Sequence, residues 1–226
     1  MKVTHPIRIS GINLYFLLLM LIPNILYSQQ TKKVVDKEKN ETYYVLKNDN
    51  AIRHGEYRLI GNRGNLLVKG YYKMGQKDSI WKCYNFSNKL NLKYDYSKKE
   101  LLYYKSEEDF TEPFEFNKDE TNKEPLLNSR PIYLGGIGCI GYFISKNITY
   151  PIKAKENSID GKVFVHFTVD KWGKASNHHV KDKLGYGLDE ESIRVIKLLP
   201  DDWLPALKEG VPVESETFIV ITYQLR

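Results

Sequence analysis

Tyr150-Pro-Ile-Lys-Ala-Lys-Glu-Asn-Ser-Ile-Asp-Gly-Lys-Val-Phe-Val-His-Phe-Thr-Val169 changes period halfway along. Pro151 suits a first helical position, where a missing N–H costs nothing. Pro151 to Asn157, with Ala154 at its centre, has room for about two turns. Ser158 to Gly161 then breaks the helix. From Val163 the spacing becomes two: Val163, Val165, Phe167 and Val169 share one face, and Phe164, His166 and Thr168 share the other. That alternation predicts a half-buried strand. The chain beyond Val169 reads as material packed on this strand.

Downstream, Asp170-Lys-Trp-Gly-Lys174 predicts a hairpin turn with Gly173 left-handed, and Ala175 to Lys181 the return strand. Leu188 to Leu199 predicts a helix with acids at its start, Arg194 and Lys197 toward its end, and Ser192, Val195, Ile196 and Leu199 on one face. Trp203 to Val213 reads as an irregular crossing. Thr217 to Leu225 predicts a last strand, apolar on both faces, with one face on the helices and the other partly covered by a partner.

Upstream of the quoted stretch, residues 131–149 hold Gly136, Gly138 and Gly141, which formally match G-x-G-x-x-G. Only a short apolar run precedes them and no βαβ alternation surrounds them, so dinucleotide binding is not supported. A loop feeding a short helix fits better, with Ile140, Phe143, Ile144 and Ile148 on one face.

The first half of the chain is different material. Of 17 Tyr in 226 residues, most lie between Tyr43 and Tyr104, which suggests strands with aromatic cross-strand pairs. Turn residues divide this region: Asp49-Asn50, Gly61 to Gly64, Gly75 to Asp78, Ser87 to Lys89, Ser97 to Lys99. A shift of 24 residues lays Tyr57 on Trp81, Gly64 on Asn88, Val68 on Leu92, Lys69 on Lys93 and Tyr72 on Tyr96. Each repeat would be a hairpin unable to bury its face alone, so neighbours must stack. Gly55-Glu-Tyr57, Gly70 to Gly75 and Ile80 to Tyr84 resemble MORN-like repeats, which imply interaction or spacing. A plain meander with a coincidental period is the alternative.

Charge is segregated within a net +6. Residues 31–106 carry 17 Lys/Arg against 8 Asp/Glu, and residues 107–127 carry 2 against 8. The basic region and the acidic stretch can attract each other, or a basic face can meet an anionic envelope surface. The acidic stretch, with Pro113 and Pro125, reads as a linker over 107–130. Lys2, His5 and Arg8, then the apolar run Ile12 to Ile25, read as a signal segment over 1–28, shorter than a bilayer span. Export permits a disulfide, but Cys83 and Cys139 fall in different regions, and two separate thiols are the simpler reading. The domain plan is thus 1–28 signal, 29–106 repeat module, 107–130 linker, 131–226 C-terminal domain.

Tyr150-Pro151, Ala154, Ile159, Gly161, the alternating valines, Gly173, Leu188 to Glu191, Trp203, Pro205-Ala206 and Gly210 to Val213 resemble, in this order, the C-terminal domain of TonB, the periplasmic energy transducer of Gram-negative bacteria. Gly135-Gly136 with Tyr142 to Ile144 and Asn147-Ile148 fits the Bacteroidetes-type version. The resemblance implies an α+β domain with a three-stranded antiparallel sheet and two helices, preceded here by an all-β repeat meander. It implies that the last strand is an exposed edge that captures the TonB-box peptide of an outer-membrane receptor as an added strand. Here the partner-binding residues would be Glu216, Thr217, Phe218, Ile219, Val220, Ile221, Thr222, Tyr223, Gln224 and Leu225. An open apolar edge is independently a liability unless something pairs with it.

A full transducer has an uncleaved membrane helix and a long spacer. Here the apolar segment looks cleavable and no Pro-rich rod comes after it, so a periplasmic binding module detached from the motor is expected. Two alternatives stand beside it: a membrane-anchored transducer meeting inner-membrane motor proteins, and an envelope-associated repeat protein that forms a homodimer through the edge strand.

Nothing points to catalysis, a cofactor or nucleic acid. No Ser lies in a G-x-S-x-G elbow, and Asp189, Glu190 and Glu191 are explained by the helix start. His178 and His179 are adjacent on a strand and face opposite ways. If Val169 pairs with Ala175, His166 falls opposite His178; two histidines without a third ligand make no metal site. Trp203 and Tyr223 are open to either a partner or the core.

Overall fold

A computed structural model of the protein describes residues 30–105 and 130–225. The signal reading over 1–28 and nearly all of the linker reading over 107–130 lie outside the described residues. Among the described residues no helix is long and apolar enough to cross a membrane.

Seven strands fill the first described stretch: β1 (Thr31–Asp36), β2 (Glu41–Leu46), β3 (Arg53–Ile60), β4 (Leu66–Lys73), β5 (Gln76–Tyr84), β6 (Leu90–Asp95) and β7 (Glu100–Tyr104). They pair antiparallel in chain order, as a meander. The 24-residue spacing maps the β3–β4 hairpin onto the β5–β6 hairpin. Tyr57 and Trp81 are both buried, as are Val68 and Leu92. The rings of Tyr57 and Trp81 stack at 5.3 Å, and Tyr72 and Tyr96 each meet the Trp81 ring edge-on. Such pairs add to the plain burial of the rings.

This aromatic face is covered by the start of the second described stretch. Strand β8 (Ile132–Tyr133) and helix α1 (Gly136–Asn147) bring Ile132, Leu134 and Tyr142 onto Tyr57, Leu59, Trp81, Cys83 and Leu92. A Cβ on Gly138 would lie 2.3 Å from the Tyr84 carbonyl oxygen. The glycine therefore serves the close approach of α1 to β5. Ile140, with Ile144 and Ile148 beside it, packs the other way, into the second core. The helix is two-faced, where the sequence suggested one apolar face. Cys83 and Cys139 are both free thiols.

The second core belongs to a three-stranded sheet with strand order β10-β9-β14: β9 (Gly161–Val169), β10 (Ala175–Val180) and β14 (Ser215–Tyr223). Val163, Val165, Phe167 and Val169 are all at most 1% exposed, as their alternation predicts. They meet Ala154 of the short helix α2 (Ile152–Glu156) and Leu188 and Ile196 of α3 (Leu188–Ile196). Fully burying one such side chain contributes roughly 1.5–3 kcal/mol. α2 is shorter than expected, and α1 is the short helix read around Ile140 to Ile148, a third beside the two that the family resemblance implies. Gly173 has φ +84°, as the turn requires.

Two corrections are local. The segment expected to be an irregular crossing forms strand β11 (Trp203–Leu204), paired with β8, and a small hairpin of β12 (Ala206–Lys208) and β13 (Val211–Val213). Glu209 and Gly210 both have positive φ and close that hairpin. Asp189 is not merely a helix-start acid: it is buried and accepts the backbone N–H groups of Leu184 and Gly185 at 2.9 and 2.8 Å.

Candidate functional site: an open sheet edge

Strand β14 pairs with β9 along its whole length, from Ser215 opposite Val169 to Tyr223 opposite Gly161. β9 is central, so the other side of β14 meets no strand among the described residues. Nine residues of backbone there alternate N–H and C=O groups outward, a template for one more strand.

Of the ten residues expected to bind a partner, Glu216 to Tyr223 lie on β14, and Gln224 and Leu225 come directly after it. The Leu225 N–H is already used, donating to Asp160 Oδ1 at 2.9 Å. Thr217, Ile219, Ile221 and Tyr223 oppose the inward residues Phe167, Val165, Val163 and Gly161. Ile221 and Tyr223 are buried, and the Tyr223 hydroxyl shares a hydrogen bond with Ser192 Oγ at 3.0 Å. Tyr223 and Trp203 are thus core side chains; any contact of Tyr223 with an added strand is through its backbone.

Glu216, Phe218, Val220 and Thr222 stand on the outer face. Phe218 packs beside Phe164 and His166, with ring centroids 5.8 and 5.5 Å away. Val220 opposes Phe164. Phe164, Phe218 and Val220 form a half-buried apolar strip beside the open edge.

At the start of the strip stands a charged cluster that the alternation of residues alone did not assemble. His179, not His178, is opposite His166, because a register shift lies between Ser176 and His179, where Asn177 adopts φ +54°. His178 is turned to the inner side and stacks on Phe167 at 5.2 Å. Glu216 reaches across to both outer histidines, 3.6 Å from His166 Nδ1 and 3.5 Å from His179 Nε2. Lys181 Nζ donates to the same carboxylate at 2.8 Å. Burial would raise the Glu216 carboxyl, but Lys181 and the two imidazoles outweigh it and hold the carboxyl below its ordinary range. Burial lowers the His166 pKa, helped by Lys181 and opposed by Glu216. Among the described residues no group of three or more His, Cys, Asp or Glu side chains is placed to hold a metal ion.

The geometry is that of an open sheet edge. Residues 146–225 match the family model of the Gram-negative bacterial TonB protein C-terminal. Searches of curated proteins and of solved structures give no match. The matched region starts at the end of α1 and contains all three strands of the β10-β9-β14 sheet with α2 and α3, leaving the meander outside it. With that sheet order and that match in hand, residues 146–225 are similar to the TonB C-terminal family.

Proposed function

We propose that this chain is a periplasmic TonB-like protein whose β14 edge captures the TonB-box peptide of an outer-membrane receptor by strand addition. Domains of this family meet outer-membrane receptors in TonB-dependent transport. The observation that carries the proposal is the nine-residue strand paired on one side only. Backbone hydrogen bonds supply the attraction, and the outer strip of Phe164, Phe218 and Val220 reads alternate peptide side chains. The apolar N-terminal segment read as an export signal supports the periplasmic address.

The test is isothermal titration of a synthetic TonB-box peptide into the purified protein and into Val220→Pro and Ile219→Pro. Successive residues of a strand direct their N–H groups to opposite sides. One of the two prolines therefore removes an outward donor and leaves the β9 ladder intact, and thermal denaturation identifies which. Loss of at least tenfold affinity in the variant that keeps its Tm supports strand addition. Unchanged affinity in that variant, or no binding by the unsubstituted protein, overturns it.

A further inference from the structure

The meander carries a row of cations across its solvent face. Reading straight across the sheet, Thr42 of β2 opposes Arg58 of β3, Arg58 opposes Lys69 of β4, Lys69 opposes Lys82 of β5, Lys82 opposes Lys93 of β6, and Lys93 opposes Tyr103 of β7. Four positive side chains are thus direct neighbours on four successive strands. Strands lie about 4.8 Å apart, so the row spans about 14 Å. Tyr57, Trp81 and Tyr94, one residue away along their strands, are buried on the opposite face, under α1. The row therefore points away from the C-terminal domain.

Like charges directly opposite one another destabilise a sheet. Here the arrangement recurs with the 24-residue spacing: Arg58 corresponds to Lys82, and Lys69 to Lys93. Compensation is one-sided. Glu56 lies 2.6 Å from Arg58 Nε and 3.3 Å from Lys69 Nζ. Among the described residues no carboxylate forms an ion pair with Lys82 or Lys93. Asp95, two residues beyond Lys93, is occupied by the N–H groups of Ser97 and Lys98.

We propose that this row is a docking track for a linear polyanion of the acidic-glycan class, with one carboxylate per sugar and a spacing close to the distance between strands. The row is one residue wide. Along β3–β6, none of the positions two residues to either side of it is Lys or Arg; they include Glu56, Tyr71, Ile80 and Asp95. A lipid surface is held by a two-dimensional basic field, which these flanks do not supply. Tyr71 and Tyr103 flank the row at about two-fifths exposed and offer faces for sugar rings. The track and the β14 edge belong to different sheets, so this inference does not depend on peptide capture.

The test uses polygalacturonate as probe, by microscale thermophoresis on the purified protein at several salt concentrations, with phosphatidylglycerol vesicles and a single-stranded DNA oligonucleotide in parallel. Lys82→Gln/Lys93→Gln should lose at least tenfold in affinity for polygalacturonate and show a shallower salt dependence. Its Tm should be unchanged or higher, because like-charge repulsion is relieved; a purely structural role would lower it. Lys98→Gln/Lys99→Gln, on the β6–β7 turn, should bind as the unsubstituted protein does. The proposal is overturned by an absence of polygalacturonate binding, by equal binding of the Lys82/Lys93 variant, or by row-dependent binding that is tighter to vesicles or DNA.

Discussion

The Lys77 ammonium of the meander and the Asp202 carboxylate of the second described stretch form an ion pair across 125 residues of chain. The Tyr96 hydroxyl donates to the same carboxylate at 3.1 Å. Lys77 also lies 4.8 Å from the Trp81 ring centroid and 4.9 Å from that of Tyr96. Asp202 is therefore the counter-ion of a cation set among aromatic rings. Asp202→Asn leaves that ammonium without it. Because both side chains keep about a quarter of their surface in water, the expected loss is about 1–2 kcal/mol. Urea denaturation measures it. A double-mutant cycle with Lys77→Met should return most of that loss as coupling, and coupling near zero would show that the pair does not join the two parts.

Gly70 faces the Trp81 indole so closely that a Cβ would lie 2.2 Å from the ring. Trp81 is itself pinned, its Nε1–H donating to the Tyr71 and Asp78 carbonyls. Neither backbone nor ring can retreat without breaking those bonds. Gly70→Ala should cost about 1–3 kcal/mol, the usual range for overpacking a core. Near-UV circular dichroism reports the displaced indole, and an unchanged spectrum with unchanged Tm would contradict this packing.

Much of this was legible in period and turn chemistry. The alternation Val163 to Val169 announced the central strand, and the 24-residue offset announced two equivalent hairpins, because both patterns are local and set by burial on one face. The joining of the two parts was not legible. Tyr142 donates to the Lys39 carbonyl and accepts from Asn40, partners about a hundred residues away. Nothing in the neighbourhood of Tyr142 signals that. The His166–His179 pairing failed for a different reason. A single register shift at Asn177 exchanges the faces of two adjacent histidines, and a left-handed asparagine leaves only a faint trace in sequence. The cationic row needed the register as well: Lys69 and Lys82 are 13 residues apart and become neighbours only when β4 and β5 pair.

Tyr223 ends β14 with its hydroxyl at Ser192 Oγ, while that serine hydroxyl donates to the Leu188 carbonyl at 2.7 Å. Tyr223→Phe strands a buried serine acceptor and should cost about 1 kcal/mol. Because the ring points into the core, TonB-box peptide affinity should stay within about twofold of the unsubstituted protein. Phe218→Ala, on the outer strip, should instead lower that affinity about tenfold with little change in Tm. Titration calorimetry on the two variants separates the faces. Equal losses in both would mean that the added strand does not read the outer side chains.

The Glu216 cluster makes stability depend on pH in two windows. His166 is held below its ordinary value of 6.5, first by burial and then by Lys181, against the pull of Glu216; His179 on β10 also disfavours its protonation. Just below pH 6.5 the unfolded chain binds a proton that the folded chain refuses, so stability falls as the solution is acidified. Glu216 runs the same way at lower pH. Its folded pKa is below 4.5, so its contribution is present above that value and is lost as pH falls through the folded value. His178 adds to the upper window, its pKa lowered by burial and by Lys197. His166→Phe keeps an aromatic ring beside Phe164 and Phe218 and removes one titrating group. The Tm of the unsubstituted protein should fall between about pH 7.5 and about pH 5.5, and the variant should fall less steeply over that interval. Below the upper window both curves should keep falling, because Glu216 still titrates against Lys181 in both, the variant less steeply because one of the two imidazoles that lower the Glu216 carboxyl is gone. An unaltered slope in the variant would place the upper transition on other groups.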